Sequence, residues 1–289
     1  MIRQILVNGV LASGLYALLA IGFSLIFGVA RIVNLAHTAF YMIAAYYVYL
    51  FANLLSINIL LSVALAILFT TLMGVVMYKL FIEPVKEHGP LIILTMGLAV
   101  VLQELTLLFY GGDVLTAPSF LSGYVEFLKV RASLQHVLTL AAFFVFILAV
   151  WGLLFKSKLG VGIRATAQDP EIAGLMGINV GRMCLVTMAI STFLAAVAGV
   201  VIAPISILEP YMWGEPLIIV IAIVVLGGMG SIKGSIIGAL ILGFVETLVV
   251  FIIPGGSFIK GATALAIVVF ILWSKPEGLF GVVFEEERL

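Results

Sequence analysis

Few residues in this 289-residue chain could do chemistry, and their spacing excludes most of what they could do. The three histidines, His37, His88 and His136, show no metal-ligand spacing, and no metal site is expected. The single cysteine, Cys184, cannot form an intrachain disulfide. No H-E-x-x-H or G-x-S-x-G is present, so neither a zinc protease nor an embedded serine hydrolase has local support. Gly228 to Lys233 faintly resembles a phosphate loop. However, Ile232 precedes the lysine, Gly234 follows it, and the flanks are apolar rather than strand and helix of a soluble fold. Nucleotide binding by this chain is rejected on that ground. Two carboxylates remain, Glu104 beside Gln103 and Glu246, each inside an apolar stretch. A carboxylate at membrane depth costs about 2.5 kcal/mol or more, so each must face protein or water. They could relay protons or ions, or be held structurally. The structural reading is preferred because no second carboxylate lies near either in sequence.

The elements that must position these residues follow from composition. Of all residues 64% are hydrophobic and only 10% charged, with 14 basic and 14 acidic. A soluble domain of this length could not cover its surface with so few charges. The composition indicates a membrane-embedded chain and excludes a disordered chain, a basic nucleic-acid binder and a disulfide scaffold. A membrane-crossing helix needs roughly 20 mostly apolar residues. Stretches 5–29, 38–55, 57–82, 91–110, 136–155, 183–208, 236–253 and 258–274 are candidates, while the run Ile218 to Gly228 is too short to cross as a regular helix. Arg3 precedes an apolar run without a clean cleavage site, so 5–29 is read as mature protein rather than a signal peptide. The polar stretches, at most 111–135 and 156–182, are too short to fold alone. The expected fold is therefore an all-α integral membrane bundle, one domain over 1–289, of about eight or nine transmembrane helices. Its architecture is open to construction from two related halves.

Orientation follows from Lys and Arg. Segment 156–182 carries Lys156, Lys158, Arg164 and Arg182, which marks it as a cytoplasmic loop. Counting spans outward places 79–90 and the C-terminal tail, with Lys275 and Arg288, on the same side. Two helices are expected to be interrupted. One break falls within Gly22 to His37, which contains Gly28, Arg31 and Asn34; the other falls within Val225 to Ser235. Unwound backbone in a membrane must be satisfied by protein, water or substrate, so broken helices point to a transport path. Ordinary surface loops are the plain alternative. Small residues four apart, Gly234/Gly238, Ala239/Gly243 and Ala195/Gly199, predict close helix packing inside the chain.

Within 156–182 the chemistry is local and specific. Asp169 can cap a helix, Pro170 suits its first position, Glu171 suits its positive end, and Gly177 can stop it. Ile172, Leu175 and Met176 then form one apolar face. A short polar-side helix bearing such a face calls for a partner surface, or else for the membrane or its own bundle.

Three blocks carry a family resemblance. They are Ser24-Leu-Ile-Phe-Gly-Val-Ala-Arg-Ile-Val-Asn34-Leu-Ala-His37 with Phe40 to Tyr46, Gly162 to Asn179, and Val224 to Ser235 followed by Leu242-Gly-Phe-Val-Glu246. Lys275-Pro-Glu-Gly-Leu-Phe-Gly281 also fits. Together they span nearly the whole chain, which resembles the permease subunits of branched-chain amino acid ABC uptake systems. The resemblance implies a coupling helix at Asp169–Gly177 that docks on a cytoplasmic ATPase. It also implies a path lined by Ser24, Asn34, His37, Gly228 and Ser231. The implied partners are a second permease chain, two ABC ATPase subunits that use the ATP, an extracytoplasmic substrate-binding protein and the lipid bilayer of a prokaryotic inner membrane. No cofactor is implied in this chain. One departure is that Thr38 and Ala39 follow His37, where the family is expected to carry Gly and often an acidic residue. An ion-coupled secondary transporter or channel for a small polar solute, using Glu104 and Glu246, is the alternative. A membrane enzyme lacks any paired catalytic constellation.

Overall fold

A computed structural model describes residues 2–85, 87–127, 130–275 and 278–280. The described chain is helical apart from one short hairpin. In order the helices are α1 (Ile2–Ala30), α2 (His37–Tyr49), α3 (Ile59–Met77), α4 (His88–Tyr110), α5 (Leu134–Lys156), α6 (Lys158–Gln168), α7 (Pro170–Leu175), α8 (Val180–Ile202), α9 (Gly214–Gly227), α10 (Ile232–Ile252) and α11 (Gly256–Ser274). Helices α2 and α3 each continue into a π-type turn, at Leu50–Leu54 and Tyr78–Ile82. Strands β1 (Tyr124–Phe127) and β2 (Val130–Ser133) pair antiparallel between α4 and α5, with Tyr124 opposite Ser133. An all-α reading of the sequence misses this hairpin, which lies in the polar stretch 111–135.

Among the described residues six helices are long and apolar enough to cross a membrane: Gln4–Ala30, Ile59–Ile82, Gly89–Tyr110, Leu134–Lys156, Val180–Ile202 and Ile232–Ile252. Gly214–Gly227 and Gly256–Ile271 are shorter apolar helices. The run Ile218 to Gly228 is thus mostly the later part of α9. The expected span 38–55 is a 13-residue helix extended by a five-residue π turn.

Helix α1 is the axis of the bundle. It packs against α10, α8, α5 and α9, and Leu18, Leu19, Ala20 and Ile21 are fully buried on all sides. The small residues do what their spacing predicts. A Cβ on Gly199 of α8 would collide with the Tyr41 carbonyl of α2, and one on Gly243 of α10 would collide with Ser13 of α1. Gly227 and Gly234 bring the end of α9 and the start of α10 into backbone contact. Close backbone approach is how helices associate where lipid is as apolar as their side chains.

The connections gather at two ends. Leu115 and Leu208 exchange both backbone hydrogen bonds (3.2 and 2.9 Å) at the hairpin end. There, too, the Trp213 indole donates to Gln103 Oε1 at 2.8 Å. The other end holds α6, α7, the end of α1, the turn 228–231 and residues 278–280. At that end Leu279 and Phe280 donate backbone N–H groups to the Leu226 and Gly227 carbonyls (2.8 and 3.1 Å). These are last-turn carbonyls of α9, which no helical donor can reach.

Candidate functional site

The first interruption is narrower than its glycines suggest. Helix α1 runs unbroken through Gly22 and Gly28 and stops only after Ala30. The two glycines serve contacts instead. A Cβ on Gly22 would strike the His37 ring, and Gly28 abuts Gly230. Arg31 ends the helix with a left-handed φ of 57°, its N–H closing on the Phe27 carbonyl at 2.9 Å.

Residues 31–34 then run without regular structure and 35–36 form a turn, so that α2 begins beside the middle of α1 and α8. Non-helical backbone inside a bundle needs side-chain partners. Thr95 of α4 provides two: its hydroxyl accepts from the Leu35 N–H (3.2 Å) and shares its one proton between the Val33 carbonyl (3.3 Å) and the Ile92 carbonyl of its own helix (3.1 Å). Asn34 provides another, its Oδ1 accepting from the Ala36 N–H at 3.1 Å, while its amide lies 3.8 Å from Met188 Sδ. His37 opens α2. Its Nε2 lies 2.9 Å from the Leu19 carbonyl, which can only accept, so this nitrogen carries the proton. Nδ1 then accepts from the Ser191 hydroxyl at 3.2 Å. Asn34 and His37 are both fully buried, and the His37 ring has no nitrogen left over in this conformation. Sequence distance hid Thr95, Met188 and Ser191 as partners.

The second interruption is where it was expected. Helix α9 ends at Gly227, Gly228 and Gly230 take positive φ (95° and 83°), and Ser231 caps α10 by accepting from the Gly234 N–H at 3.1 Å. Ser24 of α1 and Ser235 of α10 share a buried hydroxyl contact of 2.5 Å. Together the end of α1, the turn 228–231, α5 and α6 enclose a cavity of about 330 Å³. Ser24, Gly28 and Ser231 stand in its wall, with Gly228 at the start of the adjoining turn. Asn34 and His37 lie deeper and outside it.

Helix α6 forms one side of this cavity through Ile163, Arg164 and Ala167. It is held by the Ser157 cap, which accepts from the Gly160 N–H at 3.0 Å, by buried Ile163, and by the Arg31 guanidinium on the Ala167 carbonyl at 3.3 Å. Its sequence carries too few apolar residues to announce a separate helix. Helix α7 follows directly. Asp169 accepts from the Ile172 N–H at 2.9 Å, Pro170 takes the first position, Glu171 lies in the first turn, and Gly177 turns the chain at φ 84°. Ala173 is its buried residue, while Ile172, Leu175 and Met176 are 59%, 87% and 79% exposed.

The two intramembrane carboxylates are not linked to each other by any hydrogen bond or ion pair among the described residues. Glu104 is exposed on α4 and accepts from the Gln103 amide at 3.0 Å. Glu246 lies two-thirds along α10, mostly buried, with Tyr16 beside it and Lys260 of α11 at 3.5 Å. Lys260 also pairs with Glu215 of α9 at 2.5 Å. Glu246 thus has a cation and a second carboxylate nearby, neither of them close in sequence. Among the described residues no group of three or more metal-ligating side chains occurs. Arg288, one of the residues used for orientation, lies outside the described residues.

Comparison with known proteins bears directly on this arrangement. Residues 5–273 match the family described as the branched-chain amino acid transport system permease component. The chain is 29% identical to the high-affinity branched-chain amino acid transport system permease protein BraD of Pseudomonas aeruginosa, with 96% of this chain and 95% of that protein covered. It is 30% identical to the corresponding permease protein LivH of Escherichia coli K12, again covering 96% and 95%. Among solved structures, PsaBC from Streptococcus pneumoniae in complex with Fab superposes with a TM-score of 0.54 at 15% identity, covering 94% of this chain and 96% of that one, a likeness of fold. An apolar multi-helix bundle with two chain breaks, matched along nearly its whole length, thus belongs to the family of branched-chain amino acid transport permease components.

Proposed function

We propose that this chain is the path-forming permease of an ATP-driven importer of branched-chain or other aliphatic amino acids. The single observation that carries this reading is the near full-length family match. A second permease chain, related or identical, completes the path. Two separate ABC ATPase subunits supply the energy, and an extracytoplasmic binding protein delivers substrate. The chain crosses the bilayer about nine times, with α2 and α9 as short crossings, and the α6–α7 end lies in the cytoplasm.

Coupling runs through α7. Asp169, Pro170, Glu171 and Gly177 set the helix, and Ile172, Leu175 and Met176 present an apolar face to the ATPase. ATPase closure moves α7, and α7 moves α6, whose Ile163, Arg164 and Ala167 form a wall of the inner cavity. ATP biases the bundle only insofar as it binds more tightly to one of the two states. Ser24, Gly228 and Ser231 line the inner part of the path, and Asn34 and His37 hold the deeper break that shapes it. Glu246, paired with Lys260, is a structural group, and Glu104 is peripheral.

The test is purification of the native complex from membranes. Co-purifying ABC ATPases and a binding protein carrying leucine, isoleucine or valine are expected. A chain that purifies alone and transports without ATPases refutes the proposal.

A further inference from the structure

Helices α5 and α8 leave an apolar groove between them on the outside of the bundle. Its volume is about 300 Å³, and every residue that lines it is apolar. The two helices run antiparallel, and Phe146 meets Phe193 edge-on at 5.6 Å between ring centroids. Midway, Ala149 and Ala189 are too small to close the gap, and Leu153 and Val186 form the inner end. The groove follows α5 from Phe146 to Leu153, roughly 10 Å. It exists because α5 packs more extensively on α1 than on α8.

The inner end of the groove is basic. One turn beyond Leu153 and Val186 the same two helix stripes carry Lys156 on α5 and Arg182 on α8. Lys158 opens α6 beside them. All three are exposed, and among the described residues none enters an ion pair, although Glu83, Asp169 and Glu171 belong to the same end. Lys156 Nζ lies 5.9 Å from the centroid of the exposed Trp151 ring, which tilts against Phe155 at 5.5 Å. Trp151 stands about 8 Å before the end of α5, at the depth where tryptophan marks a membrane–water boundary.

We infer that this groove, with Lys156 and Arg182, is a binding site for one anionic phospholipid of the inner leaflet. An acyl chain lies along the groove, and the phosphate rests between the two cations. Charge complementarity selects the occupant. Any lipid supplies an acyl chain, but unpaired cations at the polar end favour a headgroup of net negative charge, and an arginine fork matches phosphate oxygens. Lys156 and Arg182 stand at the two ends of the segment that holds α6 and α7, so a lipid that bridges them ties the roots of that segment together. The inference goes beyond the importer reading and shares with it only the orientation of the chain.

The test is quenching of Trp151 fluorescence, taken as the difference between the full chain and W151F, in phosphatidylcholine nanodiscs. The quencher is dibrominated phosphatidylglycerol or dibrominated phosphatidylcholine. The phosphatidylglycerol is expected to quench at a mole fraction roughly thirty-fold lower, and K156Q and R182Q each cut that preference about five-fold. The double variant abolishes it. A189F, which fills the groove and leaves both cations, also removes it, so the result does not depend on the charge variants alone. Equal quenching by the two lipids in the wild-type chain overturns the inference, as does an unchanged preference in the double variant or in A189F. Exclusion of both brominated lipids from Trp151 in the assembled transporter marks the groove as the seat of the second permease chain and overturns it too. Leucine uptake by the same assembly is scored separately, so failure of the lipid site and failure of the importer reading are distinguished.

Discussion

Replacing Leu175 with Asp tests the coupling role of α7 without disturbing the bundle. Leu175 is 87% exposed and makes little contact within the chain, so the substitution leaves the stability of the free permease within about 0.5 kcal/mol. At a docked interface the balance differs. Full burial of a Leu, Met or Ile side chain contributes about 1.5–3 kcal/mol, so Ile172, Leu175 and Met176 together offer at most about 4.5–9 kcal/mol before the costs of association. Asp at position 175 removes one such share and adds a carboxylate that must be desolvated, a loss of roughly 2–4 kcal/mol. That corresponds to roughly 30- to 1,000-fold weaker association with the ATPase. The assay is affinity measurement between permease in nanodiscs and purified ATPase, alongside the thermal stability of the permease. Unchanged association with the Asp variant refutes the docking argument, and equal loss of permease stability refutes the claim that the side chain is free.

Three further perturbations probe the architecture. Gly199→Val drives a side chain into the Tyr41 carbonyl, a backbone atom that cannot yield, and costs about 3 kcal/mol or more, read as a lowered melting temperature or loss of folded protein in detergent. Thr95→Val is nearly isosteric but leaves the Leu35 N–H and the Val33 carbonyl unsatisfied, so a loss of about 1–3 kcal/mol is expected in the same assay, with faster hydrogen exchange over 31–36. Lys260→Met strands Glu246 and costs about 3 kcal/mol, while adding Glu246→Gln recovers part of the loss; strict additivity of the two substitutions contradicts the ion pair.

What the sequence discloses here is what is local. The cap and stop of α7 are legible because Asp169, Pro170 and Gly177 act within a few residues of themselves. Gly234, Gly238, Gly243 and Gly199 are legible as contact residues because small-residue spacing reports a helix face. Gly22 and Gly28 mislead for the same reason in reverse: a glycine can break a helix or admit a neighbour, and only the neighbour, His37 or Gly230, decides. Lys260, the cation beside Glu246, lies 14 residues after it, and Glu215, which shares that cation, lies 31 before it, positions that no pattern along the chain connects. The same holds for Thr95, which satisfies a segment 60 residues earlier. The inner cavity belongs to this class, since α1, α6 and the turn 228–231 meet only in three dimensions.

The most direct test of the account is leucine uptake into proteoliposomes containing the permease, its ATPases and the binding protein. The account predicts accumulation that requires ATP hydrolysis on the ATPase side and binding protein on the other, with no uptake from an ion gradient alone. Leucine accumulation by the purified permease chain by itself, driven by a sodium or proton gradient, would contradict it.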